Sequence, residues 1–242
     1  MGEIVEINKN DIIPKRDEVF ETQAIPQGKT VPKKILSILD EAIGIFLSSS
    51  HPAAIIAEVS VPEFDTTYKG EGMNEKETPL NAVFRKADNL ALFAATIGEE
   101  VSHKINQLFD VNEFALASML DSVASASADK TGDVLEKHFY DILKSKSKIS
   151  SSTGILRYSP GYCGWHISGQ KKLFELLHPE EIGIQLLSSY LMKPLKSVTG
   201  VIVSGDKKIH IFKDSYPFCA HCKSHSCRDR IRNLMHSKKS NI

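Results

Sequence analysis

The helical pattern of this chain is concentrated in its middle, and strand-like segments lie on both sides of it. Residues 99–109 and 113–143 carry apolar side chains at helical spacing, with a break expected near Gly132. The predicted strands are short and apolar: residues 53–61, 89–96, 184–191, 198–204 and 207–212. Helices and strands segregated in this way predict an α+β fold rather than a regular βαβ repeat.

The remaining segments complete this outline. Helices are predicted at 32–48, where Pro32 suits a helix start, and at 168–177. The first thirty residues are expected to be irregular or to contain a strand. The glycine-containing segment 68–74 reads as an exposed loop, and Gly205-Asp206 as the turn of a hairpin between the last two strands.

Composition limits the classes of partner. Among 242 residues, Lys+Arg and Asp+Glu each total 30, so the balanced charge favours neither nucleic acid nor an anionic membrane surface. No apolar run approaches the ~20 residues of a membrane span, and the N-terminus lacks the pattern of a secretory signal. We therefore expect a cytoplasmic protein with one main domain, residues 1–213, and a cysteine-rich basic tail, residues 214–242.

An ordered series of uncommon residues runs through the second half of the chain. Arg157 is followed after three residues by Gly161-Tyr162. Further along stand Ile182-Gly183, Met192-Lys-Pro194 and Ser197-Val-Thr-Gly200. This series resembles the activation domain of cobalamin (vitamin B12)-dependent methionine synthase, and the chain looks like a stand-alone relative of that domain.

The resemblance implies both a fold and an activity. The family fold is a twisted antiparallel sheet with surrounding helices. The family binds S-adenosylmethionine and offers its methyl group to a corrinoid cobalt, while a separate reductase such as a flavodoxin or ferredoxin supplies an electron. The implied partner is a corrinoid-binding protein, or a methionine synthase lacking its own activation domain. Any enzymatic role would be as part of that cobalamin-dependent methyltransferase system.

The predicted cofactor-binding residues lie mainly in the segment that follows Arg157. The planar guanidinium of Arg157 can hold a ligand carboxylate through two hydrogen bonds. Pro160 and Gly161 would let the backbone approach the ligand, Tyr162 offers an aromatic face or a hydroxyl, and Cys163 belongs to the same loop. The alternative is that Arg157 is a surface residue and that Tyr162 and Trp165 are core aromatics.

The resemblance also places Asp129 where the family carries an acidic residue. Its carboxylate would meet the amino group or sulfonium of the ligand. The alternative is an ordinary solvated helix carboxylate.

The tail carries a second candidate site. Cys219, Cys222 and Cys227 place three soft ligands within nine residues. His221, His225 or Cys163 would complete a set of four. The cluster suits zinc or an iron–sulfur cluster, and a thiol redox pair or unliganded thiols remain open.

Three functions are therefore open. The leading hypothesis is an S-adenosylmethionine-binding reactivation factor for a corrinoid methyltransferase. The second is a redox protein whose cysteine cluster delivers an electron to a corrinoid protein. The third is a docking module without ligand binding, a hypothesis prompted by Ile209-His210-Ile211 standing where the family carries a Tyr-Tyr pair.

Overall fold

A five-stranded antiparallel sheet forms the centre of the protein in our computed structural model, which describes residues 2–25, 30–211 and 226–236. The strand order is β1-β2-β3-β7-β4, and each neighbouring pair is antiparallel. A separate two-stranded sheet pairs β5 with β6. The strands are β1 Glu3–Glu6, β2 Ala53–Val59, β3 Asn89–Thr96, β4 Thr153–Tyr158, β5 Gln185–Leu186, β6 Met192–Lys193 and β7 Ser197–Asp206.

Helices cover both faces of the sheet. The helices are α1 Arg16–Thr22, α2 Lys33–Ser49, α3 Val61–Lys69, α4 Pro79–Phe84, α5 Glu100–Asp110, α6 Phe114–Ser145, α7 Gly169–Leu177 and α8 Ser226–His236. The predicted α+β fold class, an antiparallel sheet with surrounding helices, is confirmed.

The core is divided into two layers by the alternation of side chains along the strands. On β3, Phe93 faces the layer formed with α1, α2, α5 and α6, whereas Leu92 faces the layer formed with α3, α4 and α7. Because both faces of the sheet are buried, β3 is apolar from Leu90 to Ala95. That continuous pattern is why the prediction of residues 89–96 matches the observed strand.

The end of the sheet differs from the predicted hairpin. β7 continues through Gly205 to Asp206, and a 3-10 turn, Lys207–His210, follows instead of a strand. The Asp206 side chain accepts a hydrogen bond from the Lys208 amide at 2.9 Å and so starts this turn. The partner of β7 is β4, which comes earlier in the chain and was not among the predicted strands.

The predicted strand at 184–191 is also largely wrong. Only Gln185–Leu186 is extended, because the Leu187 amide donates to the Leu191 carbonyl at 2.8 Å and closes a turn. Tyr190, with φ of 62°, lies in that turn.

Two predictions about helices need correction. α6 runs without a break past Gly132, and the segment 68–74 begins inside α3, where Tyr68 is buried. α3 ends at Lys69 and is capped by Gly70, whose φ of 49° suits glycine. None of the helices in the described ranges is both long and apolar enough to cross a membrane.

Candidate functional site

Arg157 lies on β4, the strand at the edge of the sheet next to β7. Leu156 and Tyr158 point into the core layer of α7, so Arg157 points to the opposite face, towards α6. The Arg157 backbone N–H donates to Glu136 Oε1 on α6 at 2.6 Å. A side chain on the helix therefore fixes the strand at this residue.

Three carboxylates from one face of α6 surround the Arg157 guanidinium. Nη1 donates to Asp133 Oδ1 at 2.5 Å and lies 3.4 Å from Glu136 Oε1. Nη2 donates to the Asp129 carboxylate at 2.9 Å and to the Asp129 backbone carbonyl at 3.1 Å. We call Asp129, Asp133 and Glu136 the acidic cluster. Because they are four and three residues apart on α6, their side chains lie on one face of the helix, where all three can reach Arg157.

Gly132 makes this arrangement sterically possible. A Cβ at this position would lie 2.8 Å from Arg157 Cδ and 2.9 Å from Cζ, both closer than ordinary contact. The missing side chain therefore leaves the space that the arginine fills.

The acidic cluster, and not the guanidinium, is what the surface presents. The Arg157 side chain is only 4% exposed, whereas Asp129 is 73% and Asp133 56% exposed. Three carboxylates face the Arg157 guanidinium and the more distant Arg230, so negative charge is in excess at Asp129 and Asp133, which do not contact Arg230. The exposed groups therefore suit a cationic ligand group more readily than an anionic one.

Burial and charge act in opposite directions on the pKa values of this cluster. Burial is the largest influence on the guanidinium and opposes its charge, but Glu136, Asp129 and Asp133 together raise the pKa of Arg157. Burial raises the pKa of Glu136, an effect opposed by the charges of Arg157 and Arg230. Arg157 is thus held firmly in its charged form.

Residues 159–166, the motif loop, follow β4 and close on themselves. The Gly161 amide donates to the Trp165 carbonyl at 2.7 Å, and the Trp165 amide donates to the Tyr162 carbonyl at 3.0 Å. Gly161 and Gly164 have φ of 89° and 76°, and Cys163 has φ of 53°. The loop therefore turns sharply through backbone conformations that favour glycine.

The two aromatic residues of the motif loop have different environments. Trp165 is buried and packs edge-on against Phe64 with ring centroids 5.6 Å apart. Tyr162 is 56% exposed. Trp165 is a core residue that anchors the loop, whereas Tyr162 remains accessible to a ligand.

The structure brings two of the predicted cofactor-binding residues together, since Asp129 contacts Arg157 directly. Pro160 to Cys163 follow in the motif loop, where Cys163 packs against the core layer on the other face of the sheet from α6. Their roles in ligand binding stay predictions. Asp133 and Glu136 were missed, because carboxylates at this helical spacing from Asp129 are also common on solvated helix surfaces.

The predicted metal site falls largely outside the described part of the chain. Cys219 and Cys222 lie outside the described residues. Cys227 is in the first turn of α8, where the structure describes its backbone but not its side chain. Among the side chains that are described, no group of His, Cys, Asp or Glu has a metal-binding arrangement. In the acidic cluster, Arg157 occupies the space between the carboxylates.

The helix α8 contacts the same edge of the sheet. Ile231 and Leu234 pack against the core layer that contains Leu156, and Arg230 Nη1 lies 3.9 Å from Glu136 Oε1. The C-terminal segment is therefore connected to the acidic cluster through Glu136.

Comparison with known proteins agrees with this fold. Residues 81–213 match the model of the family described as vitamin B12 dependent methionine synthase, activation domain. This match spans more than half of the chain, and the protein belongs to that family. A search of curated proteins found no match.

A solved structure with a similar fold is titled as the MetH reactivation domain bound to AdoHcy. The two chains are 13% identical, with a TM-score of 0.60. The similarity covers 98% of this chain and 91% of the other. It therefore extends over the whole described fold and includes the region before residue 81.

Proposed function

We propose that this protein binds S-adenosylmethionine beside the acidic cluster and supports the reductive methylation of a corrinoid carried by a separate protein. The observation that carries the proposal is the exposed pair of carboxylates, Asp129 and Asp133, held in place by buried Arg157. Membership of the activation-domain family supports the same conclusion.

The charge of the ligand fits this arrangement. S-adenosylmethionine carries a carboxylate, an ammonium and a sulfonium, so its net charge is positive. The Coulomb attraction between two opposite unit charges 4 Å apart near a protein surface is roughly 4 kcal/mol. After desolvation and the ordering of side chains, an exposed pair contributes a net stabilisation of about 1 kcal/mol or less. The acidic cluster therefore favours the methyl donor over adenosylhomocysteine, which lacks the sulfonium charge.

Each residue of the site has a distinct role in this proposal. Asp129 and Asp133 meet the positive groups of the ligand, and Arg157 holds both carboxylates in position. The backbone at Pro160 to Cys163 borders the ligand, and Tyr162 offers its ring.

The ligand would supply a methyl group activated by the sulfonium. The chain's own residues bind and orient that ligand so that its methyl group faces the partner. We propose a corrinoid-binding protein, or a methionine synthase lacking its own activation domain, as this partner. A flavodoxin or ferredoxin would deliver the electron.

Calorimetry under anaerobic conditions tests the ligand site directly. Saturable binding of S-adenosylmethionine is expected, and Arg157→Ala should weaken it at least about tenfold, because a charge-assisted contact and the order of the cluster are both lost. Since this variant leaves Glu136 without its counter-charge, the double variant Arg157→Ala with Glu136→Gln serves as the folded comparison. No binding at about millimolar ligand would refute the proposal.

A second comparison isolates the charge of the carboxylate. Asp129→Asn should weaken S-adenosylmethionine binding about threefold and leave adenosylhomocysteine binding nearly unchanged. Asp141→Asn is the matched control, because Asp141 lies on the same helix and pairs with Lys137 away from the cluster. An equal effect of Asp129→Asn on both ligands would show that its charge does not recognise the sulfonium.

A second candidate function is electron delivery by an iron–sulfur cluster that the cysteines of the tail would bind. The observation in its favour is that α8 contacts β4 and Glu136, which places the backbone of Cys227 one helical turn before Arg230. Anaerobically purified protein should then contain iron and a reducible visible absorbance. An iron-free preparation with full activity would exclude this role, and zinc in that preparation would indicate a structural site.

A further inference from the structure

The loop between α3 and α4, residues 70–78, is joined to the motif loop by the side chain of Asn74. Asn74 Nδ2 donates to the Tyr68 carbonyl at 2.5 Å, and Asn74 Oδ1 accepts from the His166 amide at 2.8 Å. One partner is an acceptor and the other a donor, so only one orientation of the side-chain amide satisfies both. The Glu75 amide adds a further bond to the Gly164 carbonyl at 3.2 Å.

These contacts hold the end of the motif loop at which the chain leaves towards α7. The beginning of the loop is fixed by β4, and its middle by the bond from Gly161 to Trp165. Tyr68 is itself buried and lies against Trp165, with ring centroids 6.1 Å apart. Asn74 therefore ties the loop to a rigid part of the core.

The path of the motif loop matters because its central residues have strained backbone conformations. Cys163 has a positive φ of 53°, although it is not glycine, and such a conformation persists only when its surroundings enforce it. The bonds at Gly164 and His166 come directly after this residue. Without them, the loop would be free to relax away from the conformation that presents Pro160 to Cys163.

We infer that Asn74 is a positioning residue, which holds the motif loop in the conformation that binds the adenosyl ligand. This inference rests on the proposed function for its ligand, but the link between Asn74 and His166 can be tested without one. Asn74 acts through the loop backbone and makes no contribution to the acidic cluster.

Two variants of Asn74 separate its two hydrogen bonds. Asn74→Ala loses both and should weaken S-adenosylmethionine binding about tenfold, the effect expected for the loss of partly buried hydrogen bonds. Asn74→Asp keeps the acceptor for His166, but when ionised it repels the Tyr68 carbonyl. When protonated it again donates to that carbonyl, so its affinity relative to wild type should recover as the pH falls from about 7 to about 4.

Asn81→Ala is the matched control. Asn81 is on α4 near the same loop, and its Oδ1 accepts from Arg85 Nε at 2.9 Å, a partner outside the motif loop. It should bind the ligand as wild type does. Affinity for Asn74→Ala within twofold of wild type, an equal loss in Asn81→Ala, or no relative recovery of Asn74→Asp at acid pH would overturn the inference.

Amide hydrogen exchange gives a reading that does not depend on the ligand. The His166 amide should exchange at least about tenfold faster in Asn74→Ala than in wild type, because its acceptor is gone. Unchanged exchange would overturn the inference. If wild type fails to bind S-adenosylmethionine while His166 exchange rises in the variant, the proposed function fails and the link through Asn74 stands.

Discussion

Replacing Gly132 with alanine should destabilise this protein, although alanine is the better helix former. The change alone favours the helix by about 1 kcal/mol. The added Cβ, however, would lie 2.8 Å and 2.9 Å from Arg157 Cδ and Cζ, where ordinary contact begins at 3.4 Å. The guanidinium must therefore move by at least about 0.6 Å, and overpacking of this kind costs about 1–3 kcal/mol.

The movement also weakens the ion pairs of the site. Arg157 lies 2.5 Å from Asp133 and 2.9 Å from Asp129, and a guanidinium that is only 4% exposed has little water to replace them. We expect Gly132→Ala to lower the free energy of unfolding by about 1–2 kcal/mol, because the helix-propensity gain offsets only part of the cost. Urea denaturation at neutral pH measures this quantity.

Gly44 on α2 provides the matched control. A Cβ there would meet nothing within 4 Å, so Gly44→Ala should stabilise the protein by up to about 1 kcal/mol. In an Arg157→Ala background, Gly132→Ala should become stabilising as well. The steric explanation is refuted if Gly132→Ala stabilises the wild type as Gly44→Ala does, or if its cost persists when Arg157 is absent.

Three further predictions concern other parts of the structure. Burial lowers the pKa of His210 to about 4, so as the pH falls the unfolded chain protonates this histidine before the folded protein does. The free energy of unfolding should therefore fall by up to about 3 kcal/mol between about pH 6.5 and about pH 4. His210→Gln should reduce this pH dependence in urea denaturation. Ser60→Ala removes the capping box with Glu63 at the start of α3 and should lower the unfolding free energy by about 1 kcal/mol, measured in the same way. Arg230→Gln should cost no more than about 1 kcal/mol in urea, since its distance to Glu136 is long and the arginine is partly exposed; a larger loss would show that α8 depends on this pair.

The sequence predicted an element correctly where a single hydrophobic pattern indicated its type and bounds. β3 was predicted with its observed bounds because a short apolar run that leads into Gly98 favours a strand buried on both faces over a helix. The prediction of a hairpin at Gly205-Asp206 was wrong because glycine also occurs inside strands where another backbone or side chain packs closely. Gly205 is paired with Gly154 on β4, and a Cβ there would lie 2.6 Å from Ile209 Cδ1.

The candidate site was predicted in part for a similar reason. Arg157, Asp129 and the loop from Pro160 were found because their residue types and order are distinctive. Asp133 and Glu136 became recognisable only once β4 was placed against α6, since an ordinary helix surface carries many carboxylates. The role of Gly132 was likewise hidden, because a glycine inside a helical pattern predicts a break when the partner that fills its space is unknown.

The edge position of β4 has a consequence for association between molecules. An edge strand exposes backbone groups that can pair with a strand of another chain. Here Glu136 accepts the outward amide of Arg157, and α8 contacts the same strand through Leu234 beside Gly154. Residues 226–236 therefore shield an edge strand whose unpaired backbone groups could bind another chain. A chain ending at residue 211 should aggregate more readily for that reason.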